Sequence, residues 1–163
     1  MLDRIVALIE LEVPDPARWR EQLHSLLERM RQALRANPGI AALTLADPPP
    51  TEPVLLLIEN LLEIVLSSGV DPQEATWACD VFPMLVTAGV IEEDDRRARG
   101  LASDHFQDRV DDAYGRFVAL PPDRFPALTT HATEMVSGDG AERFRFAIDV
   151  VIEGIVARSR RSP

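Results

Sequence analysis

The sequence predicts an all-α protein of about eight helices in a single domain spanning residues 1–163. Three observations lead there. Apolar residues recur at i, i+3, i+4 and i+7 over several long stretches. Those stretches begin and end on helix punctuation such as "PDP", "NPG", "SSG" and "DPQE". No stretch alternates apolar and polar residues between hairpin signals, so no strand is expected.

The N-terminal Leu2–Glu12 reads as a first, short helical stretch. In "VPDPARWREQLHSLLERMRQALRANPG", Asp15 can cap, Pro16 suits the first helical position, and Asn37 to Gly39 stop the helix. Trp19, Leu23, Leu26, Leu27, Met30, Ala33 and Leu34 form its apolar face. Ile40 to Leu45 is a short apolar segment, and "ADPPPTEP" is a loop. A second long helix runs from about Thr51 to Ser68, with Glu59 and Glu63 on its wet side and Gly69 at C′. A third opens at Asp71 with Pro72 at the first position and Glu74 completing a capping-box pattern, and runs to about Arg99. Pro83 is expected to kink it, and Glu92–Arg96 and Glu93–Arg97 are i, i+4 pairs. Ser103 to Val118 keeps helical spacing at Phe106, Val110, Ala113, Tyr114 and Phe117. "FPALTTHATEM" is a short helix, and "ERFRFAIDVVIEGIVA" closes the chain before a loose basic tail at 158–163.

That last helix is unusual. Arg145, Asp149 and Glu153 make one thin charged stripe, which is expected to face water, and apolar residues cover most of the rest. A surface helix that buries one face does not need this. The excess implies a second surface to cover: one side on its own domain, another on a second copy of the chain.

Composition narrows the function classes. The 163 residues are 46% hydrophobic, enough for a real core. A net charge of −10 repels phosphate backbones, which argues against this chain gripping nucleic acid by itself. No apolar run reaches the roughly 18 residues of a membrane span, so no membrane partner is expected. The N-terminus lacks the pattern of a signal peptide. A single cysteine, Cys79, leaves no intrachain disulfide, and a cytoplasmic, reducing setting is the expectation.

Few residues point to catalysis. The histidines His24, His105 and His131 are not in a tight metal spacing, and no P-loop, nucleophile elbow or dinucleotide-binding glycine pattern is present. His105 with Asp108 or Asp112 could share a metal, against the plainer reading of a solvated acidic face. Cys79 reads as a buried, inert thiol. Neither enzyme activity, a cofactor nor a metal is therefore expected. Asp80 is a mid-helix acid sharing a face with Thr76, Cys79 and Pro83. It marks either the edge of a water-facing groove or a cavity that takes a polar group, and Asn60 raises the same question.

The order of "WREQLHSLLERMRQALRANPG", "TEPVLLLIENLLEIVLSSGVDPQEA", a long helix ending "TAGVIEED", "DRFPAL" and "RFRFAIDVVIEGIVA" resembles the C-terminal, ligand-binding and dimerisation domain of TetR-family transcriptional repressors, in the tetracycline-repressor-like branch. The closing motif carries Ala147 where a Gly is usual. The resemblance implies seven to nine helices and a homodimer closed by a four-helix bundle. It places Met1 at the start of the helix (residues 1–13) that joins this domain to a helix-turn-helix unit, which is absent here. DNA would be a partner only through that unit.

The resemblance further implies a small-molecule effector held by Leu26, Met30, Thr44, Leu57, Leu61, Ile64, Thr76 and Cys79, with Asp80 adjacent. Plain core packing is the alternative for Leu26, Leu57, Leu61 and Ile64. Thr44 stands where tetracycline repressors have a metal-binding histidine, and Leu26 where they have an amide. The expected effector is therefore apolar or aromatic rather than a metal–tetracycline complex. Val81, Phe82, Leu85 and Gly89 on the third long helix are expected to meet Ala147, Ile148, Val151, Ile152, Gly154 and Ile155 of the closing helix across the dimer. Ala147 and Gly154 would permit close approach. The alternative function is a stand-alone helical small-molecule-binding protein that does not act on DNA.

Overall fold

A computed structural model describes residues 1–44, 50–98 and 106–160, with the side chains of 106–109 left aside. All regular structure among the described residues is helical: α1 (Leu2–Val6), α2 (Trp19–Arg35), α3 (Ile40–Thr44), α4 (Glu52–Ser67), α5 (Pro72–Ala98), α6 (Phe106–Val118), α7 (Pro126–Thr130), α8 (Ala132–Val136) and α9 (Gly140–Ser159). They form two compact units, Met1–Asp94 with Phe144–Pro163, and Asp95–Arg143. The second is thus an excursion from the first.

The first unit is built around one apolar cluster. Leu23, Leu26, Leu27, Met30 and Leu34 of α2 enter it with Leu57, Leu61, Ile64 and Val65 of α4. Ala75, Ala78, Phe82, Val86 and Val90 of α5 join them, with Ile148 and Ile152 of α9. Each large side chain fully withdrawn from water there contributes about 1.5–3 kcal/mol. Ile5 brings α1 into the same cluster.

Local chemistry sets the boundaries and departs from expectation in several places. α2 begins at Trp19, not Pro16. Asp15 Oδ1 accepts from the Ala17 N–H (2.9 Å) and its carbonyl from the Arg18 N–H (2.9 Å), forming a separate turn ahead of the helix. Gly39 (φ 82°) and Gly69 (φ 78°) follow α2 and α4 in the left-handed region, which costs glycine little. Asp71 caps α5 by accepting from the Gln73 N–H at 2.9 Å. The capping box does not close: Glu74 takes Arg158 Nε at 2.8 Å, and the Asp71 N–H donates to Ser159 Oγ at 2.7 Å. The start of α5 is thereby tied to the end of α9. α5 remains one helix through Pro83. It is long and apolar enough to cross a membrane by length and composition, yet its buried apolar residues belong to the core cluster. α1 stops at Val6 rather than continuing to Glu12, and "FPALTTHATEM" is divided at His131 into α7 and α8.

Glu93 turns away from the surface pairing expected of it. Its Oε1 accepts from Arg31 Nη2 at 2.6 Å, and Arg35 Nε lies 2.8 Å from its Oε2 without hydrogen-bond alignment. Arg31 is itself buried, and its guanidinium stacks 4.9 Å from the centre of the Phe144 ring. Burial acts to lower its pKa, but the hydrogen bond and charge of Glu93, with Glu28, outweigh this and raise it.

In the second unit α6 packs on α7 and α8, and among the described residues Ala132 is buried there. Arg143 donates to the carbonyls of Met135 (2.8 Å) and Ser137 (2.7 Å), satisfying groups at the end of α8.

Candidate functional site

The residues expected to hold a ligand divide into three groups. Leu26 and Met30 from α2 and Leu57, Leu61 and Ile64 from α4 are all buried and belong to one cluster. Cys79 is partly buried against it, with Sγ 3.5 Å from the Ala75 carbonyl. Burial, and next the charge of Asp80, push its thiol up to about 11, so it is protonated at neutral pH.

Thr76 and Asp80 are exposed. Successive α-helical residues turn by about 100°, so once Ala75, Ala78, Phe82 and Val86 face the core, Thr76 and Asp80 point roughly a quarter-turn or more away. The Thr76 hydroxyl donates to the Pro72 and Gln73 carbonyls, each 2.9 Å away. Within this chain Thr76 and Asp80 stand on the exposed side of α5, which for Asp80 is the water-facing alternative. Asn60 is buried and grips the backbone of Glu12, its Nδ2 donating to the carbonyl at 2.7 Å.

Thr44 is partly buried and holds the one polar contact here that sequence reasoning missed in part. Its hydroxyl donates to the Ala41 carbonyl (2.7 Å) and lies 3.2 Å from the hydroxyl of Thr87, a buried residue of α5. Thr87 is eleven residues beyond Thr76, close to three full turns. The polar face of α5 was therefore legible, but its buried part lies at the α3 end. An apolar recess lined by Trp19, Leu23, Val65, Ser68, Phe82, Ile152 and neighbours measures about 10 Å³. That is room for about one water, not a ligand.

The residues expected at a dimer surface also divide. Phe82, Ile148 and Ile152 are 0%, 0% and 1% exposed, so they belong to the chain's own core and offer no surface to a partner. Leu85, Val151 and Ile155 pack on the edge of that core, while Val81, Ala147 and Gly89 are half-buried. Gly154 is exposed, and a Cβ there or at Gly89 would meet nothing within 4 Å. The faces opposite the core are instead apolar and open: Trp77 (54% exposed) and Met84 (56%) on α5, Phe146 (70%) and Val150 (54%) on α9. Spacing could have found the latter, since Phe146, Val150 and Gly154 lie at i, i+4 and i+8. Asp149 and Glu153 do not form a purely water-facing stripe: His24 Nε2 lies 2.8 Å from Asp149 Oδ1, and Arg20 Nη1 2.8 Å from Glu153 Oε1, both from α2.

His105 lies outside the described residues, as does the side chain of Asp108. Among the described residues no group of three or more His, Cys, Asp or Glu side chains is placed to hold a metal ion.

The model of the family "Tetracyclin repressor-like, C-terminal domain" matches residues 13–159. The chain is similar to the Streptomyces coelicolor TetR family protein ActR in complex with actinorhodin, at TM-score 0.82 and 25% identity, covering 96% of this chain and 73% of that one. It is also similar to apo ActR of the same organism (TM-score 0.78, 25% identity, 95% and 71% covered). A third likeness is to the putative transcription regulator SCO7704 of S. coelicolor (TM-score 0.74, 27% identity, 99% and 70% covered). No curated protein matches the chain. The matching family is one of transcription regulators rather than enzymes. The chain belongs to the tetracyclin repressor-like C-terminal domain family, the ligand-sensing part of TetR-type transcriptional regulators.

Proposed function

We propose that this domain senses a small, mostly apolar effector, works as a homodimer in the cytoplasm, and has no catalytic role. The observation that carries the effector class is the make-up of the interior between α2, α4 and α5. Leu26, Met30, Leu57, Leu61, Ile64 and the protonated Cys79 supply apolar surface, and the Thr44–Thr87 hydroxyl pair supplies one polar anchor. An apolar lining suits a neutral, largely apolar molecule, with the hydroxyl pair at the α3 end of α5 as its polar contact. Because these side chains are packed in this structure, an effector must part them, and that is the source of unequal affinity for two arrangements that allosteric control requires. Control of DNA would run through a helix-turn-helix unit outside this chain.

The dimer reading rests on the open apolar face of α5 and α9. Trp77, Met84, Phe146 and Val150 are poor surface residues for a solitary domain. Gly89 and Gly154 leave room that this chain does not use. Two copies placing these helices together would make an isologous four-helix bundle.

A thermal-shift screen tests the effector. ActR is described in complex with actinorhodin, so that compound heads the screen, followed by aromatic and aliphatic small molecules. A binder present at about 100 times its Kd stabilises the folded domain by about 2.7 kcal/mol and raises its melting point with concentration. Leu61→Ala should weaken that response, whereas Asp80→Asn should leave it intact. A flat response across the apolar compounds, with a charged polar compound shifting the melting point instead, overturns the effector class.

A further inference from the structure

The segment Glu10–Asp15, between α1 and α2, has no regular secondary structure, and Leu11 and Val13 within it are exposed. Apolar burial therefore does not hold it. Side chains do. Asn60 of α4 donates from Nδ2 to the Glu12 carbonyl at 2.7 Å and accepts from the Glu12 N–H at Oδ1, 3.4 Å. Gln22 of α2 donates from Nε2 to the Val13 carbonyl at 2.8 Å and accepts from the Asp15 N–H at Oε1, 2.7 Å. The Glu12 carboxylate accepts from Arg29 Nη1 at 2.8 Å.

An amide that gives and takes in this way stands in for a neighbouring peptide and fits the segment in one register only. Both amides are buried, so losing either partner leaves polar groups unsatisfied. Nearer the N-terminus, Thr51 Oγ1 donates to Asp3 Oδ1 at 2.7 Å. Thr51–Asp3 and Asn60–Glu12 are both 48 residues apart in sequence, so α4 and residues 3–12 run in the same direction and in step. Leu57 and Ile64, at i−3 and i+4, share the Asn60 side of α4 and Leu61 adjoins it, so the core face and Asn60 lie side by side within about one turn.

We infer that Thr51 and Asn60 are register pins that make α4 and the N-terminal segment 3–12 move as one body. A displacement of the core face of α4 then reaches α1 through hydrogen bonds. The rival is that α1 rides only on apolar packing, of Ile5 with Leu2, Val6 and Ile9 beside it. The coupling would serve the sensor function proposed above, and in that respect it rests on that reading. Its test needs no effector, so a failed effector screen and a failed coupling are separate results.

Hydrogen exchange of the intact chain, read by NMR, decides between the two, using Asn60→Ala, Thr51→Val and the double variant. Removing Asn60 should speed exchange of the Glu12 amide on the order of tenfold. The amides of Ala7 and Ile9, which donate to the α1 carbonyls of Asp3 and Val6, should quicken with it, while amides in the middle of α2 keep their rates. Thr51→Val should quicken those two amides without freeing Glu12, and the double variant should exceed both. Release of Glu12 with unchanged rates at Ala7 and Ile9 overturns the coupling and leaves apolar packing as the tether. If Asn60→Ala does not fold, Thr51→Val still decides, because unchanged exchange at Ala7 and Ile9 in that variant overturns the coupling equally.

Discussion

Replacing Phe146 by Gln tests the pairing surface with little disturbance of the single chain. Phe146 is 70% exposed on α9, with Ile148 and Ile152 on the opposite, buried face. Gln is a good helix former, so the helix itself is not challenged. A phenylalanine can bury about 150–250 Å². Covering the 70% now exposed would remove about 105–175 Å² from water, or about 2.5–4.5 kcal/mol per protomer at about 25 cal/mol/Å². The Gln stem recovers part of this, and interface area converts incompletely into affinity. A loss of about 1–2 kcal/mol per protomer is a conservative figure. Counted twice across a two-fold interface, it weakens the dimer about 30- to 1,000-fold. Sedimentation velocity across a concentration series reads the change directly. The melting point of the dissociated chain should stay within the range of an ordinary surface substitution, about 0.5 kcal/mol. An unchanged dimerisation constant for Phe146→Gln, or a wild-type chain that is monomeric at micromolar concentration, refutes the reasoning. Ile152→Asp is the contrasting control, since it buries a charge in the core and should unfold the chain rather than separate two folded ones.

Three further outcomes are expected. Leu61→Ala should destabilise the domain by about 2–5 kcal/mol in urea unfolding, since Leu61 is fully enclosed between helices. Arg29, through its hydrogen bond, holds the Glu12 carboxyl below its ordinary value against the opposing effect of burial, with Gln22 assisting. A depressed carboxylate stabilises the fold above the unfolded glutamate value of about 4.3 and loses that contribution as pH falls through the lower folded value. The melting-point gap between wild type and Glu12→Gln should therefore be widest at pH 6 and close as the solution is acidified toward pH 3; a gap that widens contradicts the assignment. Cys79, pushed up to about 11 by burial and then by Asp80, should react with iodoacetamide far more slowly at pH 8 in the folded chain than in denaturant, as followed by mass spectrometry.

Periodicity carried most of the helix assignments because apolar spacing is imposed by geometry that the chain cannot evade. Leu23, Leu26, Leu27 and Met30 had to share a face, and they do. Where two readings compete for one polar group, sequence cannot choose. Glu74 can close a capping box or meet Arg158, and Glu93 can pair along its own helix or reach Arg31. In each case the carboxylate accepts a hydrogen bond from an arginine more than 60 residues away, and local spacing holds no record of it. α9 was misread in a different way. Its apolar excess was visible, but an excess does not say which residues face inward. Ile148 and Ile152 went to the core, and the open face fell to Phe146 and Val150. On α5 the polar direction was legible at Thr76 and Asp80, but not the fact that Thr44 of α3 meets it at Thr87.

Arg31 has a consequence for how the chain can change over time. Glu93 lies just before the excursion Asp95–Arg143 leaves the first unit, and Phe144 is where the chain returns. One buried guanidinium grips both, by hydrogen bond and by ring stacking. The chain entropy of bringing distant ends together rises only slowly with the length between them. With its two ends gathered at a single socket, the stretch between can lengthen, shorten or be rewritten at small cost to the core. A lineage with this socket can exchange the excursion without having to refold the rest.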